Sequence, residues 1–313
     1  MRTLRRGASL ALLLFIVLPA RAGTYFLTVA GLGGEPDYEQ RFTEAATELE
    51  HILKASGGDV HVYTLTGAIS TRQHVEDTLD QIARQTKQED DFVLILIGHG
   101  TFDGIEYKFN LPGPDISGAE LAAWCDRIPA KRQLIVNTTS SSGGSIASLD
   151  RSGRAVIAAT KSGTEKNATV FARYWVEALR DPTSDVDKND AISALEAFDY
   201  AAAKTAAFYE SQKRLATEHA VFEDTGKNEP VRAASADNKE GQFLSNFTLV
   251  RLGSVQKAFS DPAKRELITK KEELEQKIDT LKYQKAAMAP DDYRQQLTEA
   301  LVELARVQEA LDK

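Results

Sequence analysis

Cysteine is almost missing from this chain of 313 residues: Cys125 is the only one. A single thiol excludes an intrachain disulfide, so the fold must be held by its core. Cys125 lies in a helix-like stretch, Ala119 to Arg127, beside Trp124, and reads as a buried apolar group. Basic residues are in the minority, 38 Lys and Arg against 46 Asp and Glu. An acidic surface argues against nucleic acid or an anionic membrane as partner. After Leu18 no apolar stretch is long enough to span a bilayer. The Gly-rich turn Gly31-Leu32-Gly33-Gly34 lacks both the spacing of a dinucleotide fingerprint and the lysine of a P-loop, which leaves it a strand-to-helix loop.

The first 22 residues have the layout of a secretory leader. Arg2, Arg5 and Arg6 form the charged start, Ala8 to Leu18 the apolar centre, and Ala20-Arg21-Ala22 a small-residue cleavage site. No cysteine stands there to take a lipid. Cleavage would remove Arg21 with the other three arginines and no acid, leaving the remainder more acidic still. A periplasmic or secreted location is the expectation.

From residue 23 to 252 the hydrophobic pattern alternates between two periods. Tyr25 to Ala30, Val60 to Leu65, Phe92 to Ile97, Leu134 to Val136 and Ala155 to Ala159 read as strands. Tyr38 to Ser56, Thr71 to Gln85, Ser117 to Asp126, Thr169 to Leu179 and Ala191 to Arg214 read as helices. Strands alternating with helices imply crossovers and a mostly parallel sheet between two helical layers, a three-layer α/β/α fold. The run Phe92-Val93-Leu94-Ile95-Leu96-Ile97 is apolar throughout, as a strand covered on both faces should be. It ends in Gly98-His99-Gly100-Thr101. The following strand ends in Asn137-Thr138-Thr139-Ser140-Ser141-Ser142-Gly143-Gly144. Open α/β sheets place their chemistry beyond the carboxyl ends of their strands. An imidazole at one strand end can serve as acid or base near neutral pH. A Ser/Gly loop at the next can turn backbone N–H groups toward a substrate.

This ordered pair of loops resembles the caspase–legumain–metacaspase group of cysteine peptidases. There a His-Gly follows the third strand and a Cys-x-Ser-Gly the fourth. The likeness runs from Thr24 to about Leu215. It implies a caspase-like fold that hydrolyses peptide bonds in a peptide or protein substrate. His99 would be the base, and the Gly100 N–H, with that of the nucleophile, would bind the oxyanion. Registering Ser142-Gly143 on the family's Ser-Gly puts Ser140 at the nucleophile position, where the family has Cys. A hydroxyl needs a stronger and better aligned base than a thiol. Thr138 stands where metacaspase-like members carry an acid for basic substrates, so no Arg or Lys preference carries over. Two readings stay open: a hydrolase with a serine nucleophile, or a degenerate site that binds a peptide or acts as a scaffold.

A second signal is independent of the first. Asp185 to Glu196 fits the twelve-position calcium loop of an EF-hand. Asp185, Asp187, Asn189, Ser193 and Glu196 supply oxygen side chains, and Ala191 supplies a backbone carbonyl at position 7. Position 6 is Asp190 in place of Gly, and Asp tolerates a left-handed backbone better than most residues. The acidic run Glu223 to Asn228 lacks this spacing.

Glu229 to Gly241 reads as a polar loop, and Phe243 to Leu252 as a short edge strand. Residues 253 to 313 then read as an antiparallel helical hairpin broken at Ala289-Pro290. Leu267, Leu274, Ile278, Leu281 and Met288 form one apolar seam, and Leu297, Leu301, Leu304 and Leu311 the other. Such a hairpin carries no chemistry and suits self-association or a protein partner.

Overall fold

The computed structural model describes residues 22–313 except 238 and 260. The expected leader, bar Ala22, lies outside the described residues, as does Ser260, the expected start of the hairpin's first helix. The chain runs β1 (Thr24–Ala30), α1 (Pro36–Ala55), β2 (Val60–Leu65), α2 (Arg72–Gln85) and β3 (Asp91–Ile97). Three short strands follow, β4 (Gly100–Phe102), β5 (Tyr107–Phe109) and β6 (Ile116–Ser117), then α3 (Gly118–Asp126), β7 (Arg132–Asn137), α4 (Ile146–Leu149) and β8 (Arg154–Ala158). Next come α5 (Phe171–Arg180), β9 (Ala191–Ser193), α6 (Ala194–Ser211), β10 (Val221–Glu223), α7 (Gln242–Ser245) and β11 (Thr248–Arg251). The C-terminal part is α8 (Gly253–Phe259), α9 (Pro262–Gln284) and α10 (Pro290–Leu311).

The main sheet has six strands in the order β10-β8-β7-β3-β1-β2. All neighbours are parallel except β10, which runs antiparallel to β8 at the edge. β3 is buried on both faces, as its unbroken apolar run requires. Its Val93, Ile95 and Ile97 pack with α1, α5 and α6, whereas Phe92, Leu94 and Leu96 pack with α2, α3 and α4. The three-layer α/β/α architecture and the C-terminal helical hairpin are those expected. Sequence-local caps fix where helices start. Ser117 with Glu120 and Ser193 with Glu196 form reciprocal capping boxes at α3 and α6. Cys125 is fully buried, and burial pushes its thiol up to about 11.

Three expectations need correction. Residues 191–193 continue the apolar pattern of α6 but form β9, because Ser193 caps the helix and an antiparallel partner, β11, is available. Phe243 to Leu252 is not one edge strand. Its first part is the helical turn α7, and only Thr248–Arg251 is extended, outside the main sheet. In the hairpin, Leu301 is 48% exposed, and the buried line on α10 passes through Ala300 and Val307 instead. The two helices run antiparallel: Lys270 reaches Glu303, and Lys264 donates to the Leu311 carbonyl. α9 also lies on the domain, where Arg251 grips Glu272 through two hydrogen bonds of 2.5 and 3.0 Å.

The carboxyls of Asp150 and the buried Glu223 perturb each other. Burial, then the hydrogen bond to Glu223 and its charge, push Asp150 up to about 7. Burial opposes ionisation of Glu223 too, but the hydrogen bonds from Asp150, Thr225 and the Lys227 and Gly226 N–H groups hold it below its ordinary value. For Asp150 the folded state binds the proton more tightly, so its contribution is complete below about pH 4 and is lost as pH rises through 7. Glu223 works in the opposite sense, contributing above its unfolded value and losing that as pH falls. Asp150→Asn keeps a donor at every pH. Denaturant unfolding at pH 5, 6, 7 and 8 should show the variant gaining on wild type as pH rises. A difference that does not vary with pH would rule out the raised Asp150 carboxyl.

Candidate functional site

The carboxyl ends of β3 and β7 adjoin in the sheet, with Leu96 in register with Asn137. Thr138 extends the pairing, since both its N–H, at 3.0 Å, and its hydroxyl, at 2.7 Å, donate to the Leu96 carbonyl. This clamp brings the two loops into backbone contact. A Cβ on Gly100 would lie 2.5 Å from the Ser140 carbonyl oxygen and 2.6 Å from the Thr139 hydroxyl, so only glycine fits there. β4 leaves this point as an edge strand of the small β4-β5-β6 sheet. Beneath it the buried Tyr107 hydroxyl contacts Thr139 at 2.7 Å and donates to Asn137 at 3.3 Å.

The structure brings Gly100 and Ser140 together directly. The Ser140 hydroxyl accepts the Gly100 N–H at 3.1 Å and donates to the Gly100 carbonyl at 2.9 Å. Ser140 itself is 3% exposed. His99 is half-buried and turned toward α1, with its ring edge-on to Tyr38 at 4.6 Å and to Phe42 at 5.2 Å. No hydrogen bond joins His99 to Ser140 among the described residues. Burial lowers the His99 pKa, with the Arg41 charge assisting, while the Gly33 hydrogen bond and Glu35 pull the other way. The net direction is down, so the His99 ring holds its proton less readily than a free imidazole.

Two features next to this contact escaped the sequence. Ser141 has a left-handed backbone, φ 57°, and its fully buried hydroxyl has no hydrogen-bond partner among the described residues. Its N–H donates to the Glu165 carbonyl at 2.8 Å. The Glu165 carboxylate in turn holds the His219 side chain at 2.5 Å and the His219 and Lys161 N–H groups at 3.1 and 3.0 Å. Residues so far apart in the chain carry no joint sequence signal.

At the far end of the domain, the Asp185–Glu196 loop closes on itself. Carboxylate oxygens of Asp185, Asp187 and Glu196 lie within 4.8 Å of one another. Asp190 takes the left-handed conformation, φ 65°, that position 6 demands, and Lys188 is also left-handed at φ 61°. Asp185 accepts the Asn189 and Asp190 N–H groups at 3.1 and 3.2 Å. Glu196 accepts those of Val186 and Ser193, both at 2.9 Å. The Asn189 side chain accepts the Ala191 N–H, and the Ser193 hydroxyl donates to Glu196, so both are spent within the loop. Ala191, expected to offer its carbonyl, opens β9. Asp187 is exposed as a residue, yet its carboxyl is pushed up to about 6, by desolvation first and then by Glu196, with Asp185 and Asp279 adding. An all-oxygen set with three carboxylates suits a hard divalent cation.

No protein-family model matches the chain, and no curated protein sequence is similar to it. Among solved structures it is similar to the initiator caspase Dronc of Drosophila, with 11% identity and a TM-score of 0.44 over 67% of this chain and 82% of that one. It is also similar to protein GSU0716 of Geobacter sulfurreducens, with 13% identity and a TM-score of 0.44 over 66% and 94% of the two chains. Caspase-1 of Spodoptera frugiperda gives 12%, 0.43, 66% and 86%. These likenesses concern the path of the chain, and no residue role is taken from them. Among the described residues no helix is long and apolar enough to cross a membrane.

The imidazole environment has a direct test. In an NMR titration His99 should show a midpoint below the unperturbed value of about 6.5. Phe42→Ala, by letting water reach the ring, should move the midpoint back up. A wild-type midpoint at or above 6.5 would contradict the burial described.

Proposed function

We propose that this chain is an exported caspase-like domain whose strand-end centre binds a peptide or protein segment without cleaving it. One observation carries this reading, the paired hydrogen bonds between Ser140 and Gly100. Acyl transfer needs the nucleophile's proton to face a base and an N–H to be open to the developing oxyanion. In this arrangement the Ser140 proton goes to a carbonyl, and its oxygen occupies the Gly100 N–H. An extended segment would have the edge strand β4 to pair with.

One observation favours the second reading, a serine hydrolase. Burial lowers the His99 pKa, which favours the neutral imidazole a general base requires. A bound substrate that drew Ser140 away from Gly100 would then complete the centre. A peptide-library digest decides between the two. Wild type and His99→Ala should give the same uncut pattern, while Ser140→Cys should be alkylated by iodoacetamide. Cleavage by wild type that His99→Ala abolishes would establish the hydrolase. A substituted thiol that stays inert in the folded Ser140→Cys variant would show that the position faces no accessible cleft.

The Asp185–Glu196 loop is proposed as a calcium site, held by Asp185, Asp187 and Glu196. Bound calcium would supply charge neutralisation and no chemistry. Outside the cytoplasm an affinity on the order of 10⁻⁴–10⁻³ M suffices. A cation that binds only the folded state stabilises it by about 2.7 kcal/mol at a hundredfold excess over Kd. Millimolar calcium should therefore raise Tm, and magnesium should raise it less. Asp187→Asn should raise Tm without calcium, by relieving repulsion, and remove the response to calcium. Glu196→Gln should also remove that response. Melting curves indifferent to calcium would reduce the loop to a helix cap.

A further inference from the structure

Between the Asp185–Glu196 loop and α9 lies a cavity of about 260 Å³. Its carboxylates come from both sides: Asp187 and Glu196 from the loop, Asp199 from α6, and Glu272, Glu275 and Asp279 from α9. Among the described residues of the lining Lys282 alone is basic, and it is paired with Asp279 at 2.7 Å. Asn246 also lines the cavity; its side-chain nitrogen donates to the Gln242 carbonyl at 2.8 Å, and its side-chain oxygen is buried with no hydrogen-bond partner among the described residues. An unpaired buried acceptor in the wall of an acid-lined cavity is the polarity a cation would satisfy.

The same wall is where the hairpin meets the domain. Lys271, 8% exposed, reaches from α9 to donate to the Asn189 carbonyl at 2.7 Å, and its ammonium lies 3.5 Å from Glu275. This tether holds the loop by a carbonyl at position 5, and among the described residues no hydrogen bond from α9 reaches the three loop carboxylates. Against it stand like charges. Asp187 acts on Glu275, and Asp279 acts on Asp187. Arg251 and Lys282 pair with the α9 members Glu272 and Asp279, and the Lys282 charge, which also acts with Asp187, offsets part of this repulsion.

We propose that docking of the hairpin and occupation of the loop by a divalent cation are linked, so that filling the loop fastens α9 and emptying it loosens α9. This rests on the calcium reading of the loop. Neutralising Asp185, Asp187 and Glu196 removes the repulsion that α9 meets, while the Lys271 tether stays in place. Linkage makes the effect reciprocal, so α9 reports on the loop and the loop on α9. The hairpin then acts as a calcium-dependent arm, held to the domain where calcium is plentiful.

The test is hydrogen exchange of the whole chain, read by mass spectrometry on α9 peptides with β3 peptides as internal reference. Calorimetry in the same buffers reports whether calcium binds. Calcium should slow exchange in α9 by about 5- to 150-fold, the ordinary range of coupling between sites, and leave β3 unchanged. In the double variant Glu275→Gln and Asp279→Asn, α9 should already be protected without calcium and respond less to it. Calcium binding with unchanged α9 exchange would overturn the linkage and leave the calcium site standing. Absence of binding heat together with absence of a melting shift would overturn both.

Discussion

Where the chain leaves β3 and again where it leaves β7, two backbones come so close that residue 100 has no room for a side chain. Thr138 draws the second loop onto the first by donating twice to the Leu96 carbonyl, and Ser140 completes the contact through Gly100. The apolar packing on both faces of β3 supplies the rigidity that keeps those strand ends in register. His99 then has one direction left, toward α1. The contact between Ser140 and Gly100 is thus a consequence of loop spacing as much as of the serine itself. A larger, weakly hydrogen-bonding thiol at position 140 would fit the Gly100 N–H and carbonyl poorly.

The parts legible in the sequence were those set by local periodicity. Phe92 to Ile97 announces a doubly covered strand because every residue must be apolar, and the helix expected from Ser117 to Asp126 does start at Ser117, which caps it with Glu120. The three strands after His99 were not legible. Each has two or three residues, too few to show a period, and they exist because β5 pairs on both sides. β9 was hidden for a related reason, since Ala191-Ile192-Ser193 continues the spacing of α6 and only the distant β11 pulls it straight. At the centre, the sequence reveals which residues stand at adjoining strand ends. It says nothing of where a hydroxyl proton goes, or that Glu165 and His219 buttress Ser141 from 54 residues apart.

The acidic loop and the hairpin illustrate a second kind of dependence. Asp185 and Glu196 satisfy four backbone N–H groups of their own loop, which preshapes it at the expense of gathering negative charge. β11 pairs with β9 at the loop's back and leads directly into α8. The hairpin is therefore wired to the loop both through the chain and through space, by Arg251 on one side and Lys271 on the other.

The burial of Cys125 has a practical consequence. Its sulfur is fully enclosed and its thiol is far from ionised at neutral pH, so the native chain is blank to thiol-directed dyes and spin labels. A cysteine introduced at an exposed position of α10 would be the sole reactive thiol. Distances from the hairpin to a second such label on α2 could then be followed in solution without first stripping out a native residue, which would open a void in the core between α3 and the sheet.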